Sequence, residues 1–224
     1  MAIAVQAVND TPIADAGPDQ TLECTSPEGA LVSFDGSGSS DVETPTLSLL
    51  YAWSDSFDPP LSGPMPSAVL GLGENLITLV VNDGQIDSAP DMVTVNVVDT
   101  TRPDLVASLT LVGEGDDNGD DDEGRFRIGV TAGDVCDSEP TVTAVLDIEG
   151  CPDISVADGQ IIEFEFDDDE CEVEWEDGIL EIEAPALVLV ATVIDGSGNT
   201  DEVVVLPMGL SDDNDNVAAA DLDD

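Results

Sequence analysis

The side chains able to do chemistry in this chain are almost all carboxylates. Fifty-one Asp and Glu stand against three arginines, Arg102, Arg125 and Arg127, with no lysine and no histidine, for a formal net charge of −48 over 224 residues. Crowded oxygens of this kind suit hard cations, above all Ca²⁺, which takes roughly six to eight oxygen ligands from carboxylates, carbonyls and water. They suit nucleophilic catalysis poorly, because a Ser or Cys nucleophile has no His or Lys base to activate it. A carboxylate pair can hydrolyse glycosides, but that chemistry calls for a cleft lined with aromatic platforms. Trp53 and Trp175 instead fall on strand faces expected to point into a core. The chain is therefore expected not to be an enzyme. Phosphate backbones and anionic headgroups need Lys or Arg to neutralise them, so neither nucleic acid nor membrane insertion is expected.

The acidity is uneven: residues 1–100 carry 15 acidic groups and residues 101–224 carry 36. It reads in two ways, as adaptation to a salt-rich medium and as a set of cation sites, and the two are compatible. The loop Gly115–Gly124 (Gly-Asp-Asp-Asn-Gly-Asp-Asp-Asp-Glu-Gly) is dense in oxygen ligands, yet it lacks the spacing and flanking helices of an EF-hand. Asp212-Asp213-Asn214-Asp215-Asn216 in the tail is similar to the calcium linkers between cadherin modules. Four cysteines, Cys24, Cys136, Cys151 and Cys171, have neither CxxC spacing nor a His partner, so disulfides in an oxidising compartment are expected rather than zinc. Cys171 lies beside Val173 and Trp175 on an inward face, which suits a bridge to Cys136 or Cys151. Cys24 has no partner in its own domain and reads as free, paired across the domain junction, or joined to another chain.

The elements that must carry these groups are strands. Short apolar or alternating runs recur between Gly, Pro, Asp and Asn breakers, as at Ala30–Phe34, Leu47–Trp53, Leu76–Val81, Met92–Val98, Thr141–Leu146, Ile161–Phe166, Glu172–Glu176, Leu187–Ile194 and Glu202–Leu206. No amphipathic helical stripe appears. The longest apolar stretch, Ala184–Ile194, is about half of a membrane crossing. Leu76–Val97 reads strand, Asn-Asp-Gly turn, strand, and Leu187–Leu206 repeats that plan around Asp195-Gly196-Ser197-Gly198. Val8-Asn9-Asp10-Thr11-Pro12 resembles Val98-Asp99-Thr100-Thr101-Arg102-Pro103, an acidic junction seen twice. The pattern predicts an all-β chain of two tandem immunoglobulin-like β-sandwich domains, at residues 10–98 and 103–209. A leading strand or the end of a preceding module occupies 1–9, a linker 99–102 and an acidic tail 210–224. Ala2–Val8 reads either as that preceding module's last strand or as a strand for another subunit's sheet edge.

The run Ala14-Asp15-Ala16-Gly17-Pro18-Asp19-Gln20, then Asp35-Gly36-Ser37-Gly38-Ser39-Ser40-Asp41, then Tyr51-Ala52-Trp53-Ser54, resembles a polycystic-kidney-disease (PKD) domain over about 10–98. Ser54-Asp55-Ser56-Phe57 stands where that family usually has Asp-Phe-Gly-Asp-Gly. The second domain is similar to hyalin-repeat and related bacterial immunoglobulin-like modules at residues 99–103, 134–137 and 195–200. Both resemblances imply adhesion, spacing or surface-layer roles. The PKD resemblance further implies one Ca²⁺, with ligands carried over to Asn9 or Asp10, to Asp41 with Glu43, and to Asp83. By the internal repeat the second domain offers Asp99 or Asp104, Asp134 with Asp137, and Asp195. Against this stands the plain structural role of Asp in capping turns and shaping hairpins.

Within the second domain, Ile162, Phe164 and Phe166 alternate with Glu163 and Glu165, and Cys171, Val173 and Trp175 alternate with Glu172, Glu174 and Glu176. Joined as a hairpin through Asp167–Glu170, these strands would form an outer ladder of like charges, destabilised unless salt or cations screen it. The expected role is an extracellular, Ca²⁺-stiffened structural or adhesion segment of a cell-surface adhesin, surface layer or filament. Its expected partners are other copies or neighbouring modules of the same protein, with a cell-surface or glycan ligand as a further class. The rival class is a spacer or carbohydrate-binding accessory module of a secreted hydrolase.

Overall fold

The computed structural model describes residues 8–54, 61–114, 123–166, 171–176 and 179–206. Most of the leading segment Ala2–Val8, residues 55–57 of the Ser54–Phe57 departure, residues 115–122 of the acidic loop and the tail after 209 lie outside the described residues. The chain divides into two compact units, Met1–Thr100 and Thr101–Asp224. Both are all-β and immunoglobulin-like, and among the described residues the one helical element is a 3₁₀ turn at Thr46–Ser48.

The strands of the first unit are β1 (Gln20–Glu23), β2 (Ala30–Ser33), β3 (Leu50–Ser54), β4 (Leu61–Ser62), β5 (Ser67–Leu70), β6 (Gly73–Asn82) and β7 (Asp91–Val98). They form a five-stranded sheet in the order β1-β7-β6-β3-β4 and a two-stranded sheet β2-β5. β1 runs parallel to β7, and the expected closing hairpin appears as the antiparallel β6–β7 pair. Alternation sends Tyr51, Trp53, Ile77, Leu79, Val81, Val93, Val95 and Val97 inward, against Val32 and Leu70 of the smaller sheet. Trp53 is fully buried, stacks on Phe34 with ring centroids 5.3 Å apart, and donates its indole N–H to the Gly63 carbonyl at 2.9 Å.

The second unit contains β8 (Asp104–Glu114), β9 (Glu123–Gly133), β10 (Thr141–Ile148), β11 (Ile154–Val156), β12 (Ile161–Phe166), β13 (Glu172–Glu176), β14 (Ile179–Ala184), β15 (Leu187–Ile194) and β16 (Thr200–Val205). One sheet has the order β11-β10-β15-β16 and the other β13-β14-β12-β9-β8. Their inner faces share one core that includes Phe126, Ile128, Leu146, Ile162, Leu180, Ile182 and Leu189. The second repeat of the hairpin plan is the antiparallel β15–β16 pair.

Two expectations need correction here. β12 and β13 do not form a hairpin: β14 lies between them, parallel to β12 and antiparallel to β13. Adjacency in sequence suggested the hairpin, but β14 brings its own apolar face, with Leu180, Ile182 and Ala184 buried, and claims the central place. Trp175 is not in the core. It stands opposite Leu180 on the inward-looking side of the ladder, yet it is 64% exposed. An edge strand has a neighbour on one side only, so its inward side chains are shielded less.

The cysteine alternatives narrow as well. Cys151 is bonded to Cys171, and Cys24 and Cys136 are each disulfide-bonded, so no free thiol is present.

Candidate metal centre

In the first unit the run Asp35–Asp41 is strapped to the entry segment, and this register positions the candidate ligands. Gly36 lies against the Trp53 indole, where a Cβ would stand 2.9 Å from the ring, and a Cβ on Gly38 would run into the Asp15 carboxylate. Ile13 and Ser40 exchange backbone hydrogen bonds of 2.8 and 3.0 Å. Continued three residues outward on each side, that antiparallel register sets Asp10 beside Glu43, and the Asp10 N–H donates to Glu43 Oε2 at 3.1 Å. Asp41 Oδ2 accepts the N–H groups of Glu43 and Thr44 at 3.2 and 2.7 Å, which caps the turn.

Asp83 arrives from the β6–β7 loop. Its Oδ1 accepts the N–H groups of Gln85 and Ile86 at 2.7 and 2.8 Å, and its Oδ2 accepts Asn9 Nδ2 at 2.7 Å. These donors, the Ile86 N–H foremost and then the Asn9 amide, hold the Asp83 carboxyl below its ordinary range. Gln85 Nε2 in turn donates to Asn9 Oδ1 at 2.7 Å, and Asn9 Nδ2 also reaches the Asp10 carbonyl at 3.1 Å. Asn9, Asp10, Asp41, Glu43 and Asp83 are therefore brought together in one hydrogen-bonded chain at one end of the sandwich. Gln85 was not singled out in the sequence. Its signal is its place just after the Gly84 turn, whose φ of 97° folds the loop back toward the entry segment.

One buried side-chain atom in this group has no hydrogen-bond partner. Asp41 Oδ1 is buried and accepts nothing. A carboxylate oxygen withdrawn from water without a donor is costly, and a cation would satisfy it. The surrounding set is all oxygen apart from the Asn9 and Gln85 amides, which fits a hard divalent ion such as Ca²⁺. Among the described residues of this unit, no three acidic or cysteine ligand atoms lie within 4.8 Å of one another. The carboxylates are held apart, with backbone and amide N–H groups between them.

The second unit uses its acids differently. Asp134 Oδ1 accepts the N–H groups of Cys136 and Asp137, both at 2.7 Å, while its Oδ2 is buried without a partner. Asp137 Oδ1 takes the Glu139 N–H and its Oδ2 the Gly196 N–H, each at 2.9 Å, so Asp137 reaches the Asp195 turn. Asp195 is 6% exposed, and both its oxygens are occupied by Ser197 N, Asn199 N and Asn199 Nδ2 at 2.8–2.9 Å. Asp104 opens β8 at the surface opposite Gly133, and Asp99 follows the end of β7, half-buried.

No family model matches the chain, and no curated protein matches it. Among solved structures it is similar to a chimeric titin Z1Z2–Z1Z2 tandem carrying a GRGDS peptide from fibronectin, at 12% identity and a TM-score of 0.26 over 86% of this chain and 96% of that one. It is also similar to a carbohydrate-binding module of the β-sandwich superfamily, at 15% identity and a TM-score of 0.34 over 93% of this chain and 88% of that one. A marsupial T cell receptor aligns at 9% identity and a TM-score of 0.26 over 88% of this chain and all of that one. Superpositions this loose say nothing of function, and the fold rests on the strand order itself.

Proposed function

We propose that the chain is a non-catalytic, extracellular structural or adhesion segment whose first sandwich is stiffened by Ca²⁺. The observation that carries this reading is the buried, partnerless Asp41 Oδ1, in a hydrogen-bonded chain that also joins Asn9, Asp10, Glu43 and Asp83. Asp41, Asp83 and Glu43 would supply carboxylate oxygens, and Asp10 a carboxylate or its carbonyl. The ion would supply fixed positive charge in a chain that has almost none of its own, and it would pin the entry segment to the body of the module. Disulfide bonding of all four cysteines supports an oxidising compartment, and the lack of His and Lys supports a role without turnover.

A ligand that binds only the folded state stabilises it by about 2.7 kcal/mol at a hundredfold excess over its Kd, which is several degrees for a unit of this size. Millimolar Ca²⁺ is therefore expected to raise the melting temperature of the first unit by more than about 5 °C, with chelation reversing the gain. The double variant D41N/D83N is expected to lose the shift. An identical melting curve with and without Ca²⁺ removes the calcium reading. Small-angle scattering that showed the same extension in both conditions would remove its mechanical consequence.

One observation favours a second reading. Trp175 presents an indole to solvent, as a sugar-stacking platform in an accessory module would. Binding on a glycan array that disappears in W175A would support it, and an empty array would dismiss it.

A further inference from the structure

The edge strand β13 is held poorly by its own ladder. Two carboxylates of β13 face others by register: Glu172 stands opposite Glu183, and Glu174 opposite Glu181. Behind those two on the next strand stand Glu165 and Glu163. No cationic side chain occupies the register position opposite Glu172 or Glu174; Arg125 lies across β12 and grips Glu163. Like charges directly opposed across a ladder push the strands apart. The inward side offers little in return, since Val173 is only half-buried and Trp175 is 64% exposed. Among the described residues, β13 also has β14 as its single sheet neighbour.

One covalent restraint opposes this. Cys171, the residue before β13, is bonded to Cys151, which lies in the turn after β10 on the opposite sheet. Both half-cystines pack against the core of the second unit. We propose that the Cys151–Cys171 bridge is a latch: it holds β13 on the sheet against carboxylate repulsion, and opening it releases that strand while the rest of the sandwich stays folded. A dithiol reductant supplies the two electrons and two protons. The S–S bond breaks, two thiols form on Cys151 and Cys171, and the reductant becomes its own disulfide. The outer edge of β14 is then uncovered, with a row of backbone N–H and C=O groups open to another strand. The redox state of one bridge thus sets whether the sheet ends in a closed or an open edge.

The test compares backbone hydrogen exchange in the full chain, with C151S/C171S used in place of reductant because Cys24 and Cys136 are disulfide-bonded too. In low salt the amides of 172–176 and their partners on β14 are expected to exchange at least about tenfold faster in the variant, with β9 and β12 unchanged. Adding E172Q/E174Q to the variant is expected to bring β13 back to within about threefold of wild type, because the repulsion is gone while the missing bridge is not. Equal protection of β13 with and without the bridge overturns the proposal. Loss of protection across the whole second unit overturns it too, since the bridge would then be a global staple. Failure of the glutamine substitutions to restore β13 removes repulsion as the opening force.

Discussion

Asp195 shows how a single carboxylate in this chain can be a structural keystone. Burial by itself pushes its pKa up, but the Asn199 side-chain and backbone donors and the Ser197 N–H outweigh burial and hold it below the ordinary 3.8. Removing the side chain leaves buried donors without an acceptor, so D195A is expected to destabilise the second unit by about 1–3 kcal/mol. D195N keeps one acceptor oxygen and should cost less. The sign of the pH effect follows from the depressed pKa. The charged form's stabilisation is complete above the unfolded value and disappears as pH falls through the lower folded value. Urea melts should therefore show a wild-type advantage over D195N that is flat from neutral pH to about pH 4 and shrinks below it. An advantage unchanged down to about pH 2 would sink this account. The turn itself was legible in Asp195-Gly196-Ser197-Gly198. That Asp137, 59 residues earlier, would accept the Gly196 N–H was not, because only the folded sandwich brings those two loops together.

At the scale of elements, alternation told the faces correctly and proximity in sequence told the neighbours wrongly. Glu163, Glu165, Glu172 and Glu174 do share an outer surface, as their spacing from Ile162, Phe164 and Val173 implied. The grid they form runs through Glu181 and Glu183 of β14, however, a strand that local reading passed over because its partners lie in non-consecutive segments. In the first unit the sequence singled out Asn9, Asp10, Asp41, Glu43 and Asp83, which the structure joins in one hydrogen-bonded chain, but not the Ile13–Ser40 pairing that aligns them or Gln85, because both depend on segments far apart in sequence. The grid is anchored where β9 meets β12. Arg125 Nε and Nη2 donate to the two oxygens of Glu163 at 2.7 and 3.2 Å, with the Glu163 side chain 11% exposed and that of Arg125 45% exposed. A fork of this geometry offsets the burial of Glu163. R125Q strands that carboxylate; with allowance for the solvent reaching Arg125, the expected cost is about 1–3 kcal/mol. R125L/E163L should recover most of it, because a well-packed apolar pair carries no desolvation debt. If R125Q melted within error of wild type in urea, the pair would be a surface ornament and not an anchor.

For the whole molecule the decisive quantity is how unequally the charge is shared. The first unit has 15 acidic groups and no base within residues 1–100, while 36 acidic groups and all three arginines fall within 101–224. Self-repulsion of a compact body grows faster than linearly with its charge, so the second unit, a quarter longer but carrying about twice the net charge, has the steeper dependence on screening. Its repulsion is also organised in lateral pairs across β12, β14 and β13, at separations well inside the Debye length of about 10 Å at 0.1 M salt. Screening such pairs requires a high concentration of ions at the sheet surface, so stability should keep rising with NaCl beyond the range where long-range repulsion is already quenched. In the first unit the acids of the candidate centre are spaced by N–H donors, and the proposed Ca²⁺ rather than bulk salt would be the specific remedy. Calorimetry should then resolve two transitions that answer to different reagents. NaCl should move the second unit's transition upward by several degrees more than the first's over a tenfold increase in salt, while millimolar Ca²⁺ under chelator control should move mainly the first. Two transitions that climbed together with NaCl would mean that charge density, not its placement on particular strands, governs how this chain stays folded.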